Sequence, residues 1–227
     1  TNSLVDTVAL TQTSKKTRDH KSKVVDDVRA AIDNHDSLYV FSFENMRSSK
    51  FKDVRMHFRE DKDMEGKGSK IIMGKNKLLQ VALGRTEEEE YAENLRHIAK
   101  STTGSVGLLF TSRPRNEVEE YFAELCESDY ARAGAIAGRT VMVTRDMLSS
   151  FPVSMMEQLR KLGLPVEIKN GKIVLVSDKD EHKLCKAGDT LSAEACKLLV
   201  HFQMKLAEFK VQLVCRWSKD DGALEEY

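Results

Sequence analysis

Apolar residues recur along this chain with two periods, and the switches between them delimit its elements. From Lys15, the stretch KKTRDHKSKVVDDVRAAIDNH places Val24, Val25, Val28, Ala31 and Ile32 at helical spacing. That pattern predicts an amphipathic helix whose first turns leave their basic residues in solvent. LYVFSF, 38–43, has the β-branched and aromatic composition of a short buried strand. A loop at ENMRSSKF follows, and Ser48 or Ser49 is suited to cap a helix over roughly 49–60. Phe51, Val54 and Phe58 give that helix its apolar stripe, with Arg55 and Arg59 along its edge.

The alternation continues. A strand at 70–73 leads into a helix from Lys75 carrying Leu78, Leu79, Ala82 and Leu83. EEEEYAENLRHIAK predicts a further helix reaching about Lys100, SVGLLF a third buried strand, and 114–126 a helix opened by Pro114. Strands separated by helices predict βαβ units. The expected first domain is therefore a three-layer α/β/α arrangement around a mixed, largely parallel sheet covered on both faces.

The character changes after Glu127. TVMVT is a β-branched run, a helix near 153–162 closes at Gly163, and VEIK-NG-KIVLV reads as a hairpin. Its Asn170-Gly171 pair suits a type I′ turn, which needs positive φ at both central residues. Ser192 then caps a helix with Ala195, Leu198, Leu199, Phe202, Leu206 and Phe209 on one face, and Val211, Leu213, Cys215 and Trp217 alternate as in a strand. The last elements resemble the first module more than the second. The expected organisation is an arm (1–14), a first segment (15–126), a smaller inserted α+β domain (127–184) and a return to the first domain (185–227).

Composition narrows the function. The 227 residues are 41% hydrophobic, enough for a sizeable core. No apolar run is long enough to span a bilayer, and no secretory signal opens the chain, so no membrane partner is expected. Cys126, Cys185, Cys196 and Cys215 form no CxxC pair and read as reduced thiols of an intracellular protein. A formal net charge of zero conceals an asymmetry: residues 1–85 carry 17 Lys and Arg against 12 Asp and Glu, and the remainder reverses the balance. A basic end of this kind suits a polyanion.

Specific chemistries are mostly excluded. In a P-loop the glycines bracket four residues and a Ser or Thr follows the lysine. Here Gly68 and Gly74 bracket five, Asn76 replaces the hydroxyl, and the intervening residues are strand-like. His182-x-x-Cys185 and Cys196-x4-His201 each lack a second pair of metal ligands, and no serine or cysteine has a nucleophile setting. No catalytic role, metal or cofactor is expected. What remains is a set of basic and polar loops: Lys15, Lys16, Arg18 and Lys21; Asn45, Arg47, Ser48, Ser49 and Lys50; Arg55; and Gly74, Lys75, Asn76 and Lys77. Helix-start amides at 74–77 can grip a phosphate while the lysines add charge, and Arg47 can fork onto one. The loops lack interleaved aromatics, which favours the backbone and shape of a folded RNA over base stacking.

FENMRSSKFKDVR, KIIMGKNKLL and TGSVGLLFT, in that order, resemble the ribosomal stalk-base protein family of the large subunit. SDYARAGAIAG, FPVSMMEQLRKLGLPVEIKNG, CKAGDTLSAEACKLL and AEFKVQLVCRW are similar to its nuclear assembly-factor branch. The resemblance runs from about Leu10 to Trp217. It implies an rRNA-binding domain interrupted by an insertion. It also implies binding to the stalk-base, GTPase-associated region of large-subunit rRNA on nuclear and nucleolar pre-60S particles. There the protein would hold a place later taken by the mature stalk protein, beside a neighbouring ribosomal protein and with a phosphatase-like release factor promoting the exchange. By motif, Asn45, Arg47, Ser49, Lys50, Arg55 and Gly74 to Lys77 would form the RNA face, joined by Lys15 to Lys21. Two departures stand out: TNSLVDTVAL lacks the family's basic start, and no helical extension with an acidic tail follows Trp217. The second favours the assembly-factor branch over the stalk protein of the mature subunit.

Overall fold

The computed structural model describes residues 18–60, 68–176 and 180–227. The proposed arm and Lys15 and Lys16 lie outside the described residues. The chain divides into two compact units, one of Thr1–Ser42, Lys52–Glu119 and Gln212–Tyr227, the other of Phe43–Phe51 and Glu120–Val211. The second unit thus takes in residues 185–211, which the sequence pattern assigns to the return segment.

The first half of the chain forms α1 (Arg18–Asn34), β1 (Ser37–Glu44), α2 (Ser48–Glu60), β2 (Lys70–Ile72), α3 (Asn76–Leu83), α4 (Leu95–Ser101), β3 (Val106–Thr111) and α5 (Arg115–Glu124). Apart from α4, these elements fall close to where the apolar periodicity places them. Val28, Ala31 and Ile32 of α1 and Leu79, Ala82 and Leu83 of α3 are buried with Leu38, Val40, Leu108 and Phe110 of the strands. Tyr39, Phe41 and Leu109, which alternate with those strand residues, are also fully buried, so β1 and β3 are covered on both faces.

The strand directions correct the largely parallel sheet. Strand order is β10-β9-β1-β3-β2, with β9 spanning Ala207–Ser218 and β10 Leu224–Glu226. Both β1 and β2 run antiparallel to β3, with Leu38 opposite Phe110 and Ile71 opposite Leu109. β10 is antiparallel to β9, and so is β4 (Cys126–Asp129). One helix between two strands returns the chain to the same end of a sheet, so β1 and β2, joined by α2, remain parallel to each other. They are not neighbours, however. The β2–β3 connection holds two helices, α3 and α4, and a second reversal brings the chain in from the opposite end. β3 therefore enters antiparallel between β1 and β2.

Two predicted helices are also shorter than their patterns. Residues 86–94 turn instead of extending α4 backwards, because Asn94 adopts φ 67°, which an α-helix cannot contain. The Arg96 guanidinium holds Glu90 at 3.0 Å across this turn. Near the end, α8 (Ala193–His201) stops before Gln203 at φ 56°, and Phe209 is a buried residue of β9. Leu206 likewise lies beyond the helix.

The second unit contains β4, β5 (Val141–Thr144), α6 (Arg145–Ser149), α7 (Met156–Lys161), β6 (Val166–Lys169), β7 (Lys172–Leu175), β8 (Glu181–Cys185), α8 and the start of β9. β5 pairs with β8 and β6 with β7. The hairpin turn has φ 51° at Asn170 and 71° at Gly171, the signs a type I′ turn requires. Ser192 caps α8 by accepting the Ala195 amide at 3.1 Å. Val143, Leu148, Leu159, Ile173 and Leu175 form one small core, while Cys196 and Leu199 pack in another with Ala131, Val141 and Cys185.

Candidate nucleic-acid interface

In the first unit the structure gathers three of the sequence-derived groups around β2 and the start of α3. β2 ends at Ile72, and the chain runs through Gly74 into Lys75, whose extended backbone (φ −69°, ψ 128°) opens α3. The Lys75 carbonyl accepts the amides of Leu78 and Leu79 at 2.8 and 3.2 Å, and no side chain caps this end. The first amides of a helix have no intrahelical acceptor and carry the positive end of its dipole. Lys75 and Lys77 are exposed beside them.

Gly74 is not required by the protein's own packing. A Cβ there would lie 3.5 Å from Leu79 Cδ2 and 4.0 Å from Val24 Cγ1, ordinary contacts, and its φ is not left-handed. The same distances bring α1 to the junction. Lys21 is exposed one turn before Val24 on α1, with Arg18 exposed in the preceding turn. Asn76 donates its side-chain amide to the Gly104 carbonyl at 2.8 Å, and Gln80 donates to Thr102 O at 3.1 Å. These two bonds fasten α3 to the loop before β3, so Asn76 orients the helix start. Arg55 is exposed on α2 and lines a groove of about 690 Å³ with Val24, Asp27, Arg59, Lys70 and Ile72.

The remaining predicted residues belong to the second unit and are arranged differently. Asn45, at φ 51°, donates to the Glu208 carbonyl at 3.0 Å. Arg47 donates through Nε to Asp129 Oδ2 and through Nη2 to the Tyr130 carbonyl, both at 2.9 Å. Lys50 lies 2.8 Å from Glu127 Oε2 and donates to the Ser128 carbonyl at 3.1 Å. The two cations of this loop are thus bound to β4 and the residue after it. Ser48 and Ser49 are exposed in the first turn of α2, and the Arg47 carbonyl accepts the Phe51 amide at 2.9 Å, so the helix begins one residue earlier than a serine cap would set it.

Three basic residues join the first-unit group that the sequence set does not include. Arg59 and Lys70 share the groove with Arg55, and Lys70 lies 3.2 Å from Asp27. Arg59 is four residues beyond Arg55 on α2, a spacing visible in the sequence. Arg85 donates to the Lys77 carbonyl at 3.3 Å, a return made possible by Gly84 at φ 97°. Nothing in the local sequence marks that contact.

The geometry also bears on the rejected chemistries. The glycine pair that could suggest a phosphate-wrapping loop brackets strand β2 itself. Among the described residues no helix is long and apolar enough to cross a membrane.

Comparison with known proteins places the chain in a family. Residues 16–126 match the ribosomal protein L10 family, and residues 131–204 match the insertion domain in 60S ribosomal protein L10P. The ribosome assembly factor mrt4 of Neurospora crassa is 37% identical over 96% of this chain and 89% of its own length. The Saccharomyces cerevisiae ribosome assembly factor MRT4 is 34% identical over 96% and 93%. The large ribosomal subunit protein uL10 of the same yeast is 27% identical over 80% of this chain and 54% of its own length. The chain belongs to the Mrt4 family of ribosome assembly factors, relatives of ribosomal protein L10.

Proposed function

We propose that this protein is a biogenesis factor of the large ribosomal subunit that binds stalk-base rRNA on nuclear and nucleolar pre-60S particles. It acts by binding, not catalysis, and holds the GTPase-associated region until the ribosomal stalk protein takes its place. The observation that carries this reading is the identity of 34–37% to ribosome assembly factors over 96% of the chain, against 27% to a uL10 over 80%. The β2–α3 junction supports an rRNA contact: uncapped helix amides, Lys75 and Lys77 in solvent, and a glycine that folding does not require. Arg18, Lys21 and Arg55 extend the same surface. A neighbouring ribosomal protein at the stalk base, a phosphatase-like release factor and passage to the cytoplasm on late particles complete the proposal.

The test is binding of the full chain to a stalk-base rRNA fragment across a salt series. Lys75→Glu/Lys77→Glu is expected to weaken binding severely and to lower the salt slope by about two, one per lost phosphate contact. Normal binding by that protein would overturn the proposed face. The runner-up, the stalk-base protein of the mature subunit, is separated by particle content. Co-purification with precursor rRNA supports the assembly role, and co-purification with translating ribosomes supports the alternative.

A further inference from the structure

The 43–51 loop of the second unit commits its cations internally, Arg47 to Asp129 and Tyr130, Lys50 to Glu127 and Ser128. Its exposed Asn45 borders a groove of about 420 Å³. Arg139, Lys205 and Lys210 also line this groove, from two separate parts of the unit's chain, together with Glu44 and Glu208. Lys210 lies 2.6 Å from the Glu208 carboxylate and holds that carboxyl below its ordinary range. Arg139 and Lys205, both exposed, therefore face Glu44 as the remaining carboxylate among the lining residues.

The backbone around the groove is unusual in the same places. Asn45 and Gln203 are non-glycine residues in the left-handed region, at φ 51° and 56°. Such a conformation costs about 1–2 kcal/mol in most L-residues, Gln203 among them, and less in Asn, and strain of this kind clusters at functional positions. Asn45 is held there by its bond to Glu208 O at 3.0 Å. Gln203 lies just past α8, with its amide on Val200 O and the Met204 amide on Leu199 O, and this turn leads to Lys205 in the groove. Beside Gly138, on the same wall, a Cβ would meet no heavy atom within 4 Å.

We propose that this groove is a second RNA-backbone site, in which Arg139 and Lys205 bind phosphates and Asn45 contacts the ribose. The inference rests on the reading of the chain as an rRNA-binding factor and gives the insertion a part in it. Arg139 suits a phosphate because its guanidinium donates in a fork, and Lys205 adds a point charge. With its amide nitrogen on Glu208, Asn45 offers its amide oxygen to a 2′-hydroxyl, the group that distinguishes RNA from DNA. No lining residue is aromatic, so the groove follows a backbone and does not stack bases.

The experiment compares full-length wild type, Arg139→Gln/Lys205→Gln and the charge-conserving Arg139→Lys/Lys205→Arg on the stalk-base rRNA fragment, with thermal melts of each. The glutamine protein is expected to melt like the wild type, bind more weakly at low salt and show a salt slope smaller by about two. The charge-conserving protein is expected to keep the wild-type slope. A glutamine protein with unchanged affinity and slope overturns the groove, while a Lys75→Glu/Lys77→Glu defect in the same series would leave the proposed function standing. A wild-type chain that does not bind the fragment overturns both.

Discussion

Arg47 separates a structural reading from an RNA-contact reading within one side chain. By sequence it belongs to the RNA face; in the structure its guanidinium bridges Asp129 and the Tyr130 carbonyl. Asp129 is only 8% exposed, so removing its cation leaves a carboxylate with little water to replace it. Hydrogen bonds to charged groups contribute about 1.5–3 kcal/mol each. The Arg47 side chain is 35% exposed, and solvent screening moves the pair towards the lower end of that range. Asp129 Oδ1 keeps the Tyr130 amide at 2.7 Å in either case, which limits the loss further. Arg47→Ala should therefore cost about 2–3 kcal/mol. At about 2–4 °C per kcal/mol for a chain of this size, the melting transition falls by roughly 5–10 °C. A double-mutant cycle with Asp129→Ala should recover about 1–2 kcal/mol of that, because the second change removes the stranded charge. The assay pairs thermal unfolding of the four proteins with RNA affinity measured well below their transitions, where affinity should be unchanged. An Arg47→Ala protein that melts like the wild type yet binds RNA weakly would refute the argument, showing that Arg47 leaves Asp129 for a phosphate.

Gly74→Ala should fold and melt normally, since the added methyl makes only ordinary contacts, yet bind RNA less well by holding the backbone away from α3's first amides. Equal affinity in the two proteins would show that nothing approaches closely there. Gly84→Ala should be severely destabilised, by about 3 kcal/mol or more, because a Cβ would lie 2.2 Å from Glu90 Cα at φ 97°; a shift in melting temperature under about 3 °C would contradict this. Thiol titration of the native chain should consume Cys126 rapidly and leave Cys185, Cys196 and Cys215 until denaturant is added, since those three are buried and burial pushes the Cys196 and Cys215 thiols up. Rapid reaction of all four would show that the packing around these thiols opens readily.

Much of the architecture is local and was legible as such. Apolar residues at helical spacing fix the buried faces of α1 and α3, alternation fixes the half-buried stretch of β9, and Asn170-Gly171 and Ser192 carry their turn and cap in their own chemistry. The similarity of motifs also identified the family. Strand direction was not legible, because it depends on how many helices fold back between β2 and β3, and periodicity does not count reversals. The runs at 86–94 and 202–209 look helical in composition, but Asn94 and Gln203 take left-handed backbones that neighbouring packing and hydrogen bonds support. The residues predicted to face RNA divide for the same reason. Lys75 and Lys77 stand in solvent at a helix start, a position the strand-to-helix switch already marks. Arg47 and Lys50 have the same charge, yet their partners lie some eighty residues away on β4 and just after it. Residue type and spacing determine what a side chain can bind; only the tertiary fold decides whether its partner is already supplied.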